Sequence, residues 1–337
     1  MASRSDTSNA PILPKSLVYV SDTMPGIARR KKGKGFAYYD PDGCHIADAK
    51  ELARISGLGI PPAYSQVWIC PTPKGHIQAT GLDDARRKQY RYHDLWSQFR
   101  AEAKFSSLAA FGRELPRIRR AVRRNLKRDR PDRDLAIAAL VRLIDDSGIR
   151  IGSRRRGTAI GATGLRQRHV SLEKGHITLN FIAKGGKKSR IELSDQALLE
   201  VLHDIDDLPG RHLFQYIGDD DALHPIDSSQ VNEWLRALSP KSQATAKTFR
   251  TWMGSVAAFE TASRADNLTI KAMTEAAADR LRNTPAICRS SYVHPAVLAL
   301  ADMAEDERRE TIKDTPAGPR GLRKAERGLL AFLESRA

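Results

Sequence analysis

Asn283 stands nine residues ahead of Tyr292 in the stretch running from Asn283 to Pro295, near the end of a 337-residue chain. A second cluster, Lys247-Thr-Phe-Arg250-Thr-Trp252, lies upstream. Tyrosine is a poor nucleophile near neutrality because its free pKa is about 10. Fixed cations favour its phenolate, and the same cations offset the charge that builds on a phosphate under attack. Three basic residues qualify, Arg150, Lys184 and Arg250, with Asn283 as an amide donor and Tyr292 as nucleophile. Two arginines can bracket a phosphate with paired hydrogen bonds, and a lysine can protonate an expelled alkoxide. This is equipment for phosphoryl transfer to protein. Taken singly, each residue has a blander reading: a helix arginine is usually a solvated charge, a tyrosine usually a core residue, and Lys184 precedes a hairpin that is basic in any case. Their order and surroundings carry the argument.

The elements that must position these residues follow from pattern. Arg150 comes just after a helix spanning 133–147, in which Ile137, Leu140, Val141 and Ile144 recur on one face. Lys184 sits at a strand end before Gly185-Gly186, and strands fill about 165–193. Arg250 lies in a helix over 244–263, beside Phe249, Trp252 and Met253. Other helices are expected at 94–112, 115–127, 194–205, 227–238, 267–281 and 296–308. Residues 17–93 instead show short apolar alternations, read as strands at Leu17–Val20, Gly35–Tyr39, Val67–Cys70 and His76–Thr80, with a short helix at Ala49–Ser56. The expected class is α+β, in four segments: a disordered leader at 1–16, a β-rich N-terminal domain at 17–93, a mainly helical domain with a small antiparallel sheet at 94–312, and a basic C-terminal tail or helix at 313–337.

Charge narrows the function. A formal net charge of +16 and a pI near 9.9 point to a polyanionic partner. No apolar run approaches the roughly 18 residues of a membrane span, and residues 1–15 lack the apolar core of a signal peptide. Cys44, Cys70 and Cys288 are odd in number and widely spaced, which argues against a zinc or disulfide framework and suits a reducing cytoplasm. The run Arg117–Arg130 holds eight basic residues and one acidic, and reads as a track for phosphates. A phosphate-binding GxxxxGK[ST] loop is missing, since Gly185-Gly-Lys-Lys-Ser189 lacks the upstream glycine. The expectation is a cytoplasmic protein that binds nucleic acid.

Several words in order resemble those of type IB DNA topoisomerases of the compact bacterial and poxvirus branch. They are Arg150-Ile-Gly152, Ala183-Lys184-Gly185, Lys247-Thr-Phe-Arg-Thr-Trp252, Asn283 and Tyr292, preceded by Tyr19-Val-Ser-Asp22, Ile60-Pro-Pro-Ala63, Val67-Trp-Ile-Cys70, Gly75–Gly81 and Arg87–His93. The resemblance spans about residues 17–310. It implies that Tyr292 attacks a DNA phosphodiester to give a 3′-phosphotyrosyl bond and a free 5′-hydroxyl, with Lys184 as general acid, Arg150 and Arg250 on the phosphate, and Asn283 as a neutral donor. It implies relaxation of supercoiled duplex without ATP, metal or other cofactor, by a monomer clamping double-stranded DNA in the nucleoid. Gln89, Tyr90 and Tyr92 occupy what looks like the family's major-groove word, with Arg86, Arg87, Lys88 and Arg91 placed to meet phosphates. Residues 153–161 depart from the pattern, being shorter than usual and carrying Arg156 where a tyrosine is expected. The alternatives are a tyrosine recombinase or integrase, and a catalytically impaired DNA-binding relative. Recombinases usually carry H-x-x-R where this chain has Lys247-Thr-Phe-Arg250, and their N-terminal domains are helical.

Overall fold

The computed structural model describes residues 13–152, 159–173, 175–313 and 318–336. Residues 1–12 of the expected leader, and 153–158 of the departing segment including Arg156, lie outside the described residues. The chain divides into two compact units, one ending at Ala103 and the other beginning at Lys104.

The first unit is built on an antiparallel sheet. Strands β1 (Ile27–Lys32) and β2 (Gly35–Tyr39) form a hairpin; helix α1 (Ala49–Gly57) follows, then β3 (Ser65–Ile69), β4 (Ile77–Leu82) and β5 (Lys88–Tyr92). The strand order is β2-β1-β3-β4-β5, which leaves β5 on an edge. Helix α1 is started by Asp48, whose carboxylate accepts from Glu51 N at 2.9 Å. It sets Ile55 on Ile27, Ile69 and Ala79, the small core of this unit. Strand β1 escapes pattern reading because only Ile27 of its IARRKK run is buried. The strand expected at Leu17–Val20 is reduced to a single bridge, Val18 to Gly75.

Helix α2 (Asp94–Asn125) begins where the sequence places a domain border, yet its first turns belong to the first unit. The Trp96 ring meets Tyr19 and His76 edge-on at 5.9 and 5.2 Å, and this packing moves the border to 103/104. In place of the two helices expected here, one of 32 residues forms, with Pro116 inside it. An interior proline costs about 3 kcal/mol. Phe111, Leu115 and Ile118 on the same turns are all fully buried, each contributing about 1.5–3 kcal/mol, so packing outweighs the break.

The second unit is centred on α3 (Arg133–Ser147), capped by Asp132 and ended by Gly148 at φ 66°. It is buried nearly all round, not only on the Ile137/Leu140/Val141/Ile144 face. Strands β6 (Val170–Glu173), β7 (His176–Ile182) and β8 (Lys188–Leu193) make the small antiparallel sheet. Next come α4 (Gln196–Asp206), the unforeseen pair β9 (Gln215–Ile217) and β10 (Leu223–Pro225), then α5 (Ser228–Leu238), α6 (Ala246–Arg264), α7 (Ile270–Leu281) and α8 (Pro285–Ser291). The helix expected at 296–308 is broken into α9 (Pro295–Leu298), a 3-10 turn (Ala299–Asp302) and α10 (Glu305–Lys313), because Met303 is extended.

At the end of the chain, the expected tail or helix is a helix, and a buried one. Helix α11 (Lys324–Glu334) is a core element, with Leu329, Leu330 and Phe332 fully buried and Phe332 5.5 Å from the Phe259 ring. Its Glu326 grips Arg119 of α2 at 2.7 and 2.8 Å, and Arg119 grips Asp145 of α3 at 2.7 and 3.0 Å. Arg119 is therefore an internal strut and leaves the basic track. Arg128 pairs with Asp132 and Arg130 with Asp221. Among the described residues, the exposed members of the track outside these ion pairs are Arg117, Arg120, Arg123, Arg124 and Lys127. Truncating Leu330 to Ala is expected to destabilise the protein by about 2–5 kcal/mol in urea unfolding, as a core truncation does. A loss within a few tenths of a kcal/mol would mean that α11 is a detachable tail.

Candidate active site

Helix α6 organises the site. Lys247, Arg250 and Gly254 recur at i, i+3 and i+7 and so share one face. Arg250 is only 3% exposed. Its Nη1 donates to the Gly148 carbonyl at the end of α3, and its Nη2 donates to the Leu281 carbonyl at the end of α7, 3.4 Å away. Its guanidinium carbon lies 4.9 Å from the centre of the Tyr292 ring. One turn on, Gly254 leaves room for the tyrosine backbone: a Cβ there would sit 2.6 Å from the Tyr292 carbonyl oxygen and 3.1 Å from its Cβ. Ser255 Oγ donates to that carbonyl at 3.3 Å and accepts from His294 N at 3.0 Å.

Tyr292 itself caps the end of α8, its N–H donating to the Cys288 carbonyl at 2.9 Å. Helix α8 starts sharply because Thr284 caps it and Pro285 occupies its first position. Arg282 ends α7 in the left-handed region at φ 49°. Between these two helix ends sits Asn283, whose Nδ2 is buried without a hydrogen-bond partner among the described residues.

The carbonyls at the end of α3 are held by arginines in sequence. Arg280 donates to Asp146 O at 2.8 Å, Arg282 to Ser147 O at 2.9 Å, and Arg250 to Gly148 O. Two residues beyond, Arg150 is half-buried, and its own carbonyl accepts from Ala162 N at 2.8 Å. Gly152, at φ 79°, lies back to back with Gly161, and a Cβ on either would fall within 3 Å of the other. The two ends of the departing segment are thus pinned together.

These placements set the electrostatics. Burial pushes the Tyr292 phenol up, but Arg250, Arg150 and Lys247 together outweigh it and hold its pKa below the ordinary value of 10.0. Burial lowers the Arg250 pKa, with the phenol acting in the opposite direction. A further cation approaches from α2: the Lys104 ammonium donates to the Ser291 carbonyl and lies 5.9 Å from the Tyr292 ring centre.

Of the five candidates, the structure brings Tyr292, Arg250 and Arg150 together. Lys184 is exposed in the β7–β8 turn, followed by Gly185 and Gly186 at φ 82° and 74°. Among the described residues, no hydrogen bond or ion pair joins Lys184 or the Asn283 side chain to Tyr292. Lys247 opens the Lys247–Trp252 motif, but the sequence assigns it no role, whereas Gly254, Ser255 and Lys104 give no sequence signal at all. In the first unit, Tyr90 and Tyr92 stack nearly parallel (9°) at 5.8 Å, both exposed on one face of β5. Gln89 falls on the opposite face, with its amide on Asp83 at 2.9 Å; Arg87 also pairs with Asp83, and Lys88 with Asp22.

Residues 35–83 match the family model for the N-terminal domain of bacterial DNA topoisomerase IB, and residues 94–295 that for the catalytic core of eukaryotic DNA topoisomerase I. The DNA topoisomerase 1B of Acanthamoeba polyphaga mimivirus is 30% identical over 295 residues, covering 82% of this chain and 88% of that protein. The chain belongs to the type IB DNA topoisomerase family. It is an enzyme of that class and DNA is its substrate. The catalytic-core match encloses Arg150, Lys184, Arg250, Asn283 and Tyr292, and the topoisomerase N-terminal match stops before β5. Among the described residues, no helix is long and apolar enough to cross a membrane.

The depressed phenol can be read directly. A tyrosinate difference titration, wild type minus Tyr292→Phe, is expected to show Tyr292 ionising below pH 10.0. Lys247→Met should move that transition upward, and Arg150→Met should move it further. A transition at or above the ordinary value would show that burial outweighs the cations.

Proposed function

We propose that the protein relaxes supercoiled duplex DNA by transient cleavage of one strand through Tyr292. The phenol gives up its proton to solvent as its oxygen attacks a phosphodiester, the tyrosine becomes joined to the 3′-phosphate, and the 5′-oxygen leaves with a proton from Lys184. The duplex swivels, and the 5′-hydroxyl attacks the phosphotyrosine to restore the strand. The phosphodiester energy is kept in the covalent bond, so the cycle needs neither nucleotide nor metal. Arg150 and Arg250 bear on the non-bridging oxygens, where charge accumulates, and Asn283 gives them a neutral hydrogen bond.

The observation that carries this reading is the Arg250 guanidinium 4.9 Å from the Tyr292 ring, in a cluster that favours the phenolate. Two buried donors without partners, Arg250 Nε and Asn283 Nδ2, support it. An unmet buried donor costs about 1–3 kcal/mol, and an anionic oxygen would remove that cost. Lys184, on its glycine-rich turn, reaches the phosphate only with DNA bound. The exposed Tyr90–Tyr92 pair and the α2 arginines are the DNA-facing surfaces of a monomeric clamp. Arg87 and Lys88 join it by exchanging Asp83 and Asp22 for phosphates, and Gln89 by releasing Asp83.

Tyr292→Phe is expected to bind duplex normally and to form no covalent adduct; plasmid relaxation by that variant would overturn the assignment. Loss of a transition-state donor typically costs about 10²–10³ in rate. A substrate with sulfur at the 5′-bridging position needs no proton on its leaving group. It should restore cleavage by Lys184→Ala but not by Arg150→Ala, and equal rescue of both would contradict the roles. Each phosphate neutralised contributes about −0.9 to the log–log salt slope of affinity. Replacing Arg120, Arg123 and Arg124 by Gln should therefore flatten that slope by roughly one unit for every phosphate left without its arginine.

A further inference from the structure

Lys104 has no part in the roles assigned so far, yet its ammonium reaches the nucleophile's own backbone. It donates to Ser291 O, the carbonyl of the peptide bond that enters Tyr292. The same Nζ lies 4.1 Å from the Phe105 ring centre and 5.9 Å from that of Tyr292. It is half-buried, and among the described residues no carboxylate pairs with it. Packing alone would be served better by an apolar side chain between two rings, because a buried ammonium without a counter-ion is costly. What the ammonium adds is a directed bond that fixes one peptide.

We propose that Lys104 is a positioning residue for strand cleavage, tying the Ser291–Tyr292 peptide to α2 so that the phenol is held on line with the phosphate. The proposal rests on the reading of Tyr292 as nucleophile. The tyrosine carbonyl is already held from the other side by Ser255, and Gly254 limits how far the backbone can settle toward α6. Lys104 thus completes a three-point seat: Ser255 and Gly254 of α6 act after the tyrosine Cα, and Lys104 of α2 acts before it. Without the lysine, the Ser291–Tyr292 peptide keeps only the Tyr292 N–H bond to the Cys288 carbonyl, and the phenol swings about the remaining holds. A displacement of about 1 Å at a reacting atom can cost on the order of 10²-fold in rate.

The seat is sensitive to pH. Burial, and then the charge of Lys247, lower the Lys104 pKa from 10.5 to about 8. The charged groups around it are Lys247 on α6, His294 after α8, and Tyr292 with its arginine partners. His294 is driven by burial to a pKa of about 4 and stays neutral throughout the window. Because the folded-state pKa is lowered, the ammonium is present below about pH 8 and gives way to the amine, a weaker donor, above it. An arginine at this position stays charged across the whole range.

The test is single-turnover cleavage of a duplex, with DNA affinity measured alongside. Lys104→Met is expected to bind DNA as the wild type does and to cleave it between about tenfold and 10²-fold more slowly. Lys104→Arg should recover most of the rate, and the ratio of wild-type to Lys104→Arg rates should fall as pH rises through about 8. Cleavage by Lys104→Met at the wild-type rate overturns the proposal, as does a ratio that is flat with pH. If Lys104→Met does not fold, the pH ratio of the other two proteins decides alone. Tyr292→Phe in the same assay separates the claims. Cleavage by that variant overturns the nucleophile and this proposal with it. Its inactivity beside an unimpaired Lys104→Met overturns only the role of Lys104.

Discussion

Burying the Arg250 guanidinium is the interaction on which the rest of the catalytic unit depends. A desolvated cation is costly, and burial lowers its pKa for that reason. The cost is offset only where acceptors converge, and here those acceptors are the last carbonyls of α3 and α7, with the Tyr292 ring centre 4.9 Å away. Helix ends carry unmet carbonyls and partial negative charge, so they suit a cation well. One side chain therefore fixes three things at once: where α3 releases Arg150, where α7 releases Asn283, and where the ring of Tyr292 lies. The same contact lowers the phenol's pKa. Structure and reactivity draw on a single set of bonds.

The elements behind this contact are stiff. Arg119 joins α2, α3 and α11 through two buried carboxylates, and Arg280 and Arg282 hold the two carbonyls before Gly148. Arg323, just before α11, bonds Asp146 at 2.9 Å. The end of α3 cannot shift without breaking several of these bonds together. Buried ion pairs of this kind contribute little net stability compared with apolar packing, but removing one partner leaves a charge stranded. Their value here is geometric, since they hold the Arg150 segment in one place. The contact of Gly152 with Gly161 does the same on the far side of residues 153–158.

Much of the site is legible because it is written in short words with reactive residues in fixed order. Arg150, Arg250 and Tyr292 can be named from them, and the structure brings those three together. The α+β class is legible from the change of period near Asp94. What stays hidden depends on tertiary contact. The sequence reads as two helices parted between 112 and 115, yet Phe111, Leu115 and Ile118 keep α2 whole. Helix α11 is expected as a basic tail or helix, but Arg323, Lys324 and Arg327 dominate its composition and hide that Leu329, Leu330 and Phe332 face the core. Arg119 looks like its neighbours in the basic run and is the one that turns inward. Gly254, Ser255 and Lys104 lie far from Tyr292 in sequence, and nothing local marks them. Gln89 groups with Tyr90 and Tyr92 in the sequence, but strand alternation sends it to the other face of β5.

The central claim is that Tyr292, in this cationic seat, supplies the oxygen that joins the protein to a 3′-phosphate. The most direct measurement is to trap the protein on supercoiled plasmid with denaturant, digest both partners, and sequence the peptide that carries the nucleotide. The account predicts one modified peptide, bearing the nucleotide on Tyr292 through its 3′-phosphate, with the broken strand ending in a free 5′-hydroxyl. A nucleotide on any other residue, or one joined through its 5′-phosphate, would contradict it.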